Sequence, residues 1–219
     1  MARGVFITLE GGEGGGKSTQ AKMLREALTA RGHEVLLTRE PGGSPGAEAI
    51  RALLVQGDAN RWDGMTEALL NTAARRDHLT KVIQPAMAQG KVVISDRFAD
   101  STMAYQGYGH GVDRATLTQF YRSIAGNFQP DLTLILDLPV DVGLARAGAR
   151  AGNETRYENM AVVFHQRLRD GFRAIAAEEP GRCRVIDANR SVEQVHHDIL
   201  AATLVACEIR VFNAGRARS

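Results

Sequence analysis

Gly11-Gly12-Glu13-Gly14-Gly15-Gly16-Lys17-Ser18, with Thr19 next, spells a glycine, any four residues, then Gly-Lys-Ser. An apolar run at residues 5–9 precedes it. A helical pattern follows, with Ala21, Leu24 and Leu28 on one face and Gly32 as a stop. Strand, glycine loop and helix in that order are the setting a phosphate-binding loop requires. Glycines let the backbone curl around an anion with no Cβ in the way. The freed N–H groups and the start of the next helix then hold phosphate. In such a loop Lys17 reaches the outer phosphates and the Ser18 hydroxyl is a magnesium ligand.

Working outward, short apolar runs recur at residues 35–37, 92–94, 132–136 and 185–186, with helical patterns between them. Together with the first run they predict five strands in a parallel sheet, flanked by helices on both faces. The pattern predicts a helix over 67–78 with Thr66 as its cap, which sets Asn71, Arg75 and His78 on one face. A short helix capped by Asp141 is expected, then a helix over 158–178 with Phe164, Leu168, Phe172 and Ile175 as its apolar stripe, stopped by Pro180-Gly181. Ser191-Val192-Glu193-Gln194 reads as a capping box opening the last helix. One domain over 1–212 is predicted, with 213–219 as a frayed tail.

The chain has 219 residues, 44% hydrophobic and 24% charged, the balance of an α/β domain with a sizeable core. A formal net charge of +2 gives no general pull toward nucleic acid or a membrane surface. Cys183 and Cys207 form no Cys-x-x-Cys pattern and read as free thiols in a reducing compartment. The first apolar run is too short for a signal peptide, and no run has the length of a membrane span. The expectation is a cytoplasmic protein.

Which phosphate chemistry the loop serves depends on the rest of the chain. Residues 92–94 lead into Ser95-Asp96-Arg97. An apolar strand ending in Asp supplies the second magnesium-site carboxylate in such proteins. Arg97 adds a fixed cation with five donors where ligands of open α/β sheets bind. A GTPase would carry an Asn-Lys-x-Asp type motif, which is missing. A partitioning ATPase would carry an extra lysine early in the loop, where Gly11 and Gly12 stand. A small-molecule kinase needs a cationic second site, and Arg51, Arg75, Arg97, Arg146, Arg150 and Arg156 are available for one. Residues 147–155 are small and polar with arginines in or beside them. That stretch is either a solvated surface loop or a lid. An ATPase or nucleotide-dependent switch with no small acceptor remains the other class.

Several further motifs stand in order along the chain: Leu9-Glu10-Gly11, Thr38-Arg39-Glu40-Pro41-Gly42-Gly43, Ile50-Arg51-Ala52-Leu53-Leu54, Ser95-Asp96-Arg97-Phe98, Ser101-Thr102-Met103-Ala104-Tyr105-Gln106-Gly107, Pro130-Asp131-Leu132-Thr133, Arg156-Tyr157-Glu158-Asn159 and Val185-Ile186-Asp187-Ala188. In that order and spacing the chain resembles the thymidylate kinases over nearly its whole length. The resemblance implies a P-loop nucleoside-monophosphate-kinase fold with a lid at about 146–156. It implies transfer of the ATP γ-phosphoryl group to dTMP, giving dTDP and ADP, with Mg²⁺ as cofactor and a homodimer as the assembly.

By residue, the resemblance implies that the loop from Gly11 to Thr19 binds ATP, with Ser18 and Asp96 at the metal. Glu13, Glu40, Pro41, Arg51, Asn71, Arg75, Arg97, Thr102, Tyr105 and Gln106 fall where the family binds dTMP. Lys17 and Arg97 fall at catalytic positions. Some members carry a catalytic arginine inside the loop, where Gly14 stands here. The chain therefore resembles the subgroup that draws arginines from the lid, with Arg146, Arg150 and Arg156 as the candidates. One departure stands out. The family pattern has an aromatic residue four positions before Arg75, which stacks on thymine, and this chain has Asn71. Either another residue covers the base, or base affinity or selectivity is altered.

Overall fold

The computed structural model describes residues 3–58, 61–149, 156–157 and 160–216, with side chains as far as Ala206. Five strands form one sheet: β1 (Phe6–Glu10), β2 (Val35–Arg39), β3 (Val92–Asp96), β4 (Leu132–Asp137) and β5 (Cys183–Asp187). Their order is β2-β3-β1-β4-β5, every pair is parallel, and each strand covers one of the five predicted runs, except that β1 begins at Phe6, one residue inside its run. Each also runs on to a charged residue: Glu10, Arg39, Asp96, Asp137 and Asp187. An apolar strand that closes on a charge at its carboxyl end gives a buried sheet with one polar rim. β1 lies between β3 and β4, with the strands that follow it placed first on the β3 side and then on the β4 side, so the rim opens beside β1, where ligands of such sheets bind.

Side chains alternate across a strand, so each strand serves two cores. Ile7, Leu9, Ile94, Leu134 and Leu136 face α1 (Lys17–Thr29) and α9 (Val192–Arg216), where Leu24, Leu28 and Ile199 are fully buried. Each such leucine contributes about 1.5–3 kcal/mol of burial. On the opposite face, Phe6, Val93 and Phe98 pack on the long helical run of α3 (Gly64–His78), a wide turn at Leu79–Ile83 and α4 (Gln84–Ala88). Ile135 packs with Ala104, Tyr105 and the predicted stripe of α8 (Val162–Glu178). The remaining helices are α2 (Pro45–Val55), α5 (Ala99–Thr102) running into a wide turn at Met103–Gly109, α6 (Arg114–Ala125) and α7 (Val140–Gly148).

Helix starts deviate from expectation for local reasons. The helix bearing Arg75 begins at Gly64 because Asp63, not Thr66, is the cap, and its Oδ1 accepts from the Thr66 N–H at 2.7 Å. Asp141 lies in the first turn of α7, and Pro139 is the residue before the helix. Helix α8 begins at Val162. The capping box forms as read: the Gln194 N–H donates to Ser191 Oγ, and the Ser191 N–H to Gln194 Oε1. Helix α9 continues to Arg216, past the point where fraying was expected; 217–219 lie outside the described residues. Among the described residues, no helix is long and apolar enough to cross a membrane.

Candidate active site

The phosphate loop leaves β1 through Gly11 and enters α1 through Gly16, whose φ of 81° lies in the left-handed region. Gly14 has φ 70°, and a Cβ there would stand 2.0 Å from the Gly143 carbonyl oxygen of α7. The loop thus touches α7 backbone to backbone at Gly14. Lys17 folds back over the loop, donating to Gly12 O at 2.7 Å and Gly11 O at 3.1 Å. Burial and the neighbouring Arg97 cation lower its pKa to about 8. Ser18 Oγ donates to Asp96 Oδ2 at 2.5 Å, so the two expected metal ligands meet in space from 78 residues apart. A hydroxyl and a carboxylate oxygen side by side are the hard donors magnesium takes, with phosphate and water completing its shell.

Arg97 sits at the hinge of the site. It directly follows β3 with φ 70°, a conformation that costs a non-glycine residue about 1–2 kcal/mol. The Ser95 hydroxyl donates to its carbonyl at 2.7 Å, and its own N–H donates to Leu9 O at 2.9 Å. Its guanidinium then spans Gly11 O at 3.0 Å, Ser101 Oγ at 3.3 Å and Glu13 Oε1 at 3.0 Å, above the ring of Tyr105. Glu13 also accepts from Tyr105 Oη at 2.5 Å. Burial opposes ionisation of Glu13, but Arg97 and Lys17 prevail and hold its carboxyl at about 2.

Two cavities meet at these residues. One, about 680 Å³, is lined by residues 13–18, Arg39 and Asp96; the other, about 730 Å³, by Pro41, Val55, Asn71, Arg75, Phe98, Ser101, Thr102, Tyr105, Gln106 and Tyr157. Glu13, Glu40, Arg51 and Arg97 line both. In the second cavity Arg75 is held by three acceptors: Glu40 Oε2 at 2.7 Å, Phe98 O at 3.0 Å and Thr102 Oγ1 at 3.0 Å. Glu40 itself is 5% exposed and also binds His78 Nδ1 at 3.0 Å. The predicted face of α3 therefore works as a unit, with His78 and Glu40 fixing Arg75. Arg51 Nη1 donates to Pro41 O at 2.7 Å.

A phosphate loop joined to a second, partly aromatic cavity through shared arginines narrows the fold family, and comparison with known proteins decides it. Residues 9–199 match the family model "Thymidylate kinase". The chain belongs to the thymidylate kinase family. It is 55% identical to a thymidylate kinase of Caulobacter vibrioides over 89% of this chain and 93% of that one. It is 51% identical to one of Ruegeria pomeroyi over 92% and 95% respectively. The crystal structure of the thymidylate kinase from Ehrlichia chaffeensis superposes with a TM-score of 0.75 at 37% identity, covering 92% of this chain and 99% of that one.

The structure brings most of the expected thymidylate kinase positions together. Lys17, Ser18, Asp96 and Arg97 line the first cavity; Pro41, Asn71, Arg75, Thr102, Tyr105 and Gln106 line the second. The arginines after β4 divide. Arg146 Nη1 donates to Ala188 O at 3.1 Å, tying α7 to the loop after β5. Arg150 lies outside the described residues, as do 151–155 of the expected lid. Arg156 is 1% exposed and lines neither cavity; it donates to Asp58 O at 3.0 Å, Leu54 O at 3.2 Å and the Glu67 carboxylate. Its described bonds pack it behind the second cavity instead of across from the loop.

Sequence reasoning passed over Glu10, Phe98, Ser101, Glu67 and Tyr157 as site residues. Glu10, fully buried, accepts from the Phe98 N–H at 2.7 Å and Ser101 Oγ at 2.5 Å, shaping the turn that presents Arg97. Burial and the nearby Asp100 push its carboxyl up to about 7. The signal available was an acid closing an otherwise apolar strand. Asn71 is only one part of a wall that keeps Phe98, Tyr105 and Tyr157, so the cavity does not lack aromatic surface.

Proposed function

We propose that this chain transfers the γ-phosphoryl group of ATP to dTMP, giving dTDP and ADP. The observation that carries the reading is the pair of contiguous cavities sharing Glu13, Glu40, Arg51 and Arg97. The loop from Gly11 to Thr19 holds the ATP phosphates. The acceptor base enters between Arg75, Thr102, Gln106 and the aromatic wall, and the acceptor phosphate lies toward Arg51 and Arg97. Ser18 and Asp96 would hold Mg²⁺, which when bound neutralises phosphate charge.

A nucleoside monophosphate has a second pKa near ~6 and is largely a dianion at neutral pH. It needs no general base, and none is assigned. The obstacle is repulsion: like charges at ~4 Å oppose one another by about 4 kcal/mol at an effective dielectric of ~20. Lys17 and Arg97 offset this and stabilise charge spreading over the transferring group. Glu13, ionised, keeps Arg97 aimed between the two cavities. Arg146 and Arg150 are the further cations assigned to the donor side. Arg156 orders Tyr157 at the acceptor wall. The protein works in the cytoplasm, as a homodimer.

The test is phosphorylation of dTMP, dUMP, UMP, dCMP and AMP with ATP and Mg²⁺. The expected preference is dTMP, with dUMP next. A clear preference for any other acceptor, or ATP hydrolysis indifferent to all of them, overturns the reading.

A further inference from the structure

Glu67 has no part in the chemistry above, yet it is the most heavily used carboxylate behind the acceptor cavity. It is fully buried on α3. Oε1 accepts from Arg156 Nη2; Oε2 accepts from Gln106 Nε2 at 2.8 Å and from Tyr157 Oη at 3.1 Å, with His110 Nε2 at 3.6 Å. An ionised carboxylate has only acceptors to offer. Gln106 must therefore turn its NH2 group toward Glu67, and its amide oxygen toward the cavity that it lines. That oxygen accepts from none of the described residues. Asn71 is fixed in the same sense by the same residue: its Nδ2 donates to the main-chain oxygen of Glu67 at 2.9 Å. Two side-chain amides, each free in principle to present either end, are thus both set oxygen-first.

The opposite wall has the other polarity. Thr102 Oγ1 accepts from Arg75, so the Thr102 hydroxyl proton is left to donate. Arg75 commits Nε and Nη2 to Glu40, Phe98 and Thr102, which leaves Nη1 as its uncommitted donor among the described residues. The cavity therefore offers donors from Arg75 and Thr102 and acceptors from Gln106 and Asn71. A base edge that alternates carbonyl, N–H, carbonyl meets such a set. A cytosine edge, with an unprotonated ring nitrogen and an amino group, meets acceptor against acceptor. A buried polar site rejects a mispaired analogue strongly, because its own groups are left unsatisfied.

We infer that Glu67 is a positioning residue for base selectivity: by holding Gln106 through its carboxylate and Asn71 through its carbonyl, it makes the cavity select a pyrimidine imide over an aminopyrimidine. The inference rests on the acceptor reading above. It adds a selector in the fold outside the residues that touch the substrate.

The experiment compares kcat/KM for dTMP and dCMP in wild type, Glu67→Gln, Gln106→Met and the double variant, with ATP KM and thermal stability measured alongside. Glutamine at 67 can donate as well as accept, which frees the Gln106 amide to turn over. The dTMP:dCMP ratio is expected to fall at least tenfold in Glu67→Gln, with ATP KM unchanged. Gln106→Met is expected to lose a similar part of the ratio through dTMP alone. In the double variant Glu67→Gln should have no further effect on the ratio. Equal losses on both acceptors in Glu67→Gln reveal a structural role only and overturn the inference. If loss of the Arg156 partner unfolds that variant, Gln106→Met decides alone, and an unchanged ratio there overturns it. Failure of the wild type to phosphorylate dTMP refutes the proposed function instead, and is read before any variant.

Discussion

Replacing Arg97 by lysine keeps the positive charge and removes the fork. The guanidinium reaches Gly11 O and Ser101 Oγ with one nitrogen and Glu13 Oε1 with the other. A single ammonium cannot hold both ends, so the cation loses its fixed aim while most of its Coulomb attraction remains. One charged hydrogen bond is worth about 1.5–3 kcal/mol, or roughly 10- to 150-fold in rate if it acts only in the transition state. Arg97→Ala removes the charge as well. About 4 kcal/mol of attraction at ~4 Å is then lost, which puts the alanine variant roughly 1,000-fold below wild type. The expected order of kcat is wild type, then lysine, then alanine, with ATP KM moving less than kcat. Initial rates of ADP release at saturating ATP and dTMP, at pH 7, give these numbers. Both variants within threefold of wild type would refute the placement of Arg97 between donor and acceptor. The left-handed backbone at Arg97 supplies a control, since Arg97→Gly relieves about 1–2 kcal/mol of strain. It should therefore be more stable than Arg97→Ala while equally slow.

The lowered pKa of Lys17 sets the pH dependence of ATP binding. Its ammonium is charged below about 8, and phosphate binds that form. ATP affinity in the free enzyme should hold steady from pH 6 to 7 and weaken as pH rises through 8, by up to about tenfold per unit. Calorimetric titration across that range checks it, and strengthening with pH contradicts the assignment. Gly14→Ala forces a Cβ against the Gly143 carbonyl at a left-handed backbone position, so the loop or α7 must shift; ATP KM should rise at least tenfold with dTMP binding little changed. Arg150→Ala should lower turnover at least tenfold with little change in dTMP affinity; unchanged turnover transfers that duty to Arg146.

How legible was this protein from its residues alone? The loop from Gly11 to Thr19 and the run into Asp96-Arg97 were clear because local chemistry demands those residue types in sequence. The five strands were clear because each is a short apolar run between turn signals. Helix starts were less so. Asp63 and Thr66 are both good caps, and only the folded backbone shows which oxygen meets an N–H. Arg146, Arg150 and Arg156 read alike as a basic cluster, yet Arg156 is fully buried against Glu67, Leu54 and Asp58. Charge along the chain does not reveal burial.

By itself, then, the sequence determined the phosphate loop, the alternation of strands and helices, and the family to which the chain belongs. These rest on neighbours in the chain, where spacing alone carries the physics. The tertiary structure decided the strand order β2-β3-β1-β4-β5, the meeting of Ser18 with Asp96 across 78 positions, and the direction in which Gln106 and Asn71 present their amides. Each of those depends on which distant groups the packed sheet and helices bring within about 3 Å, the range in which a hydrogen bond acts.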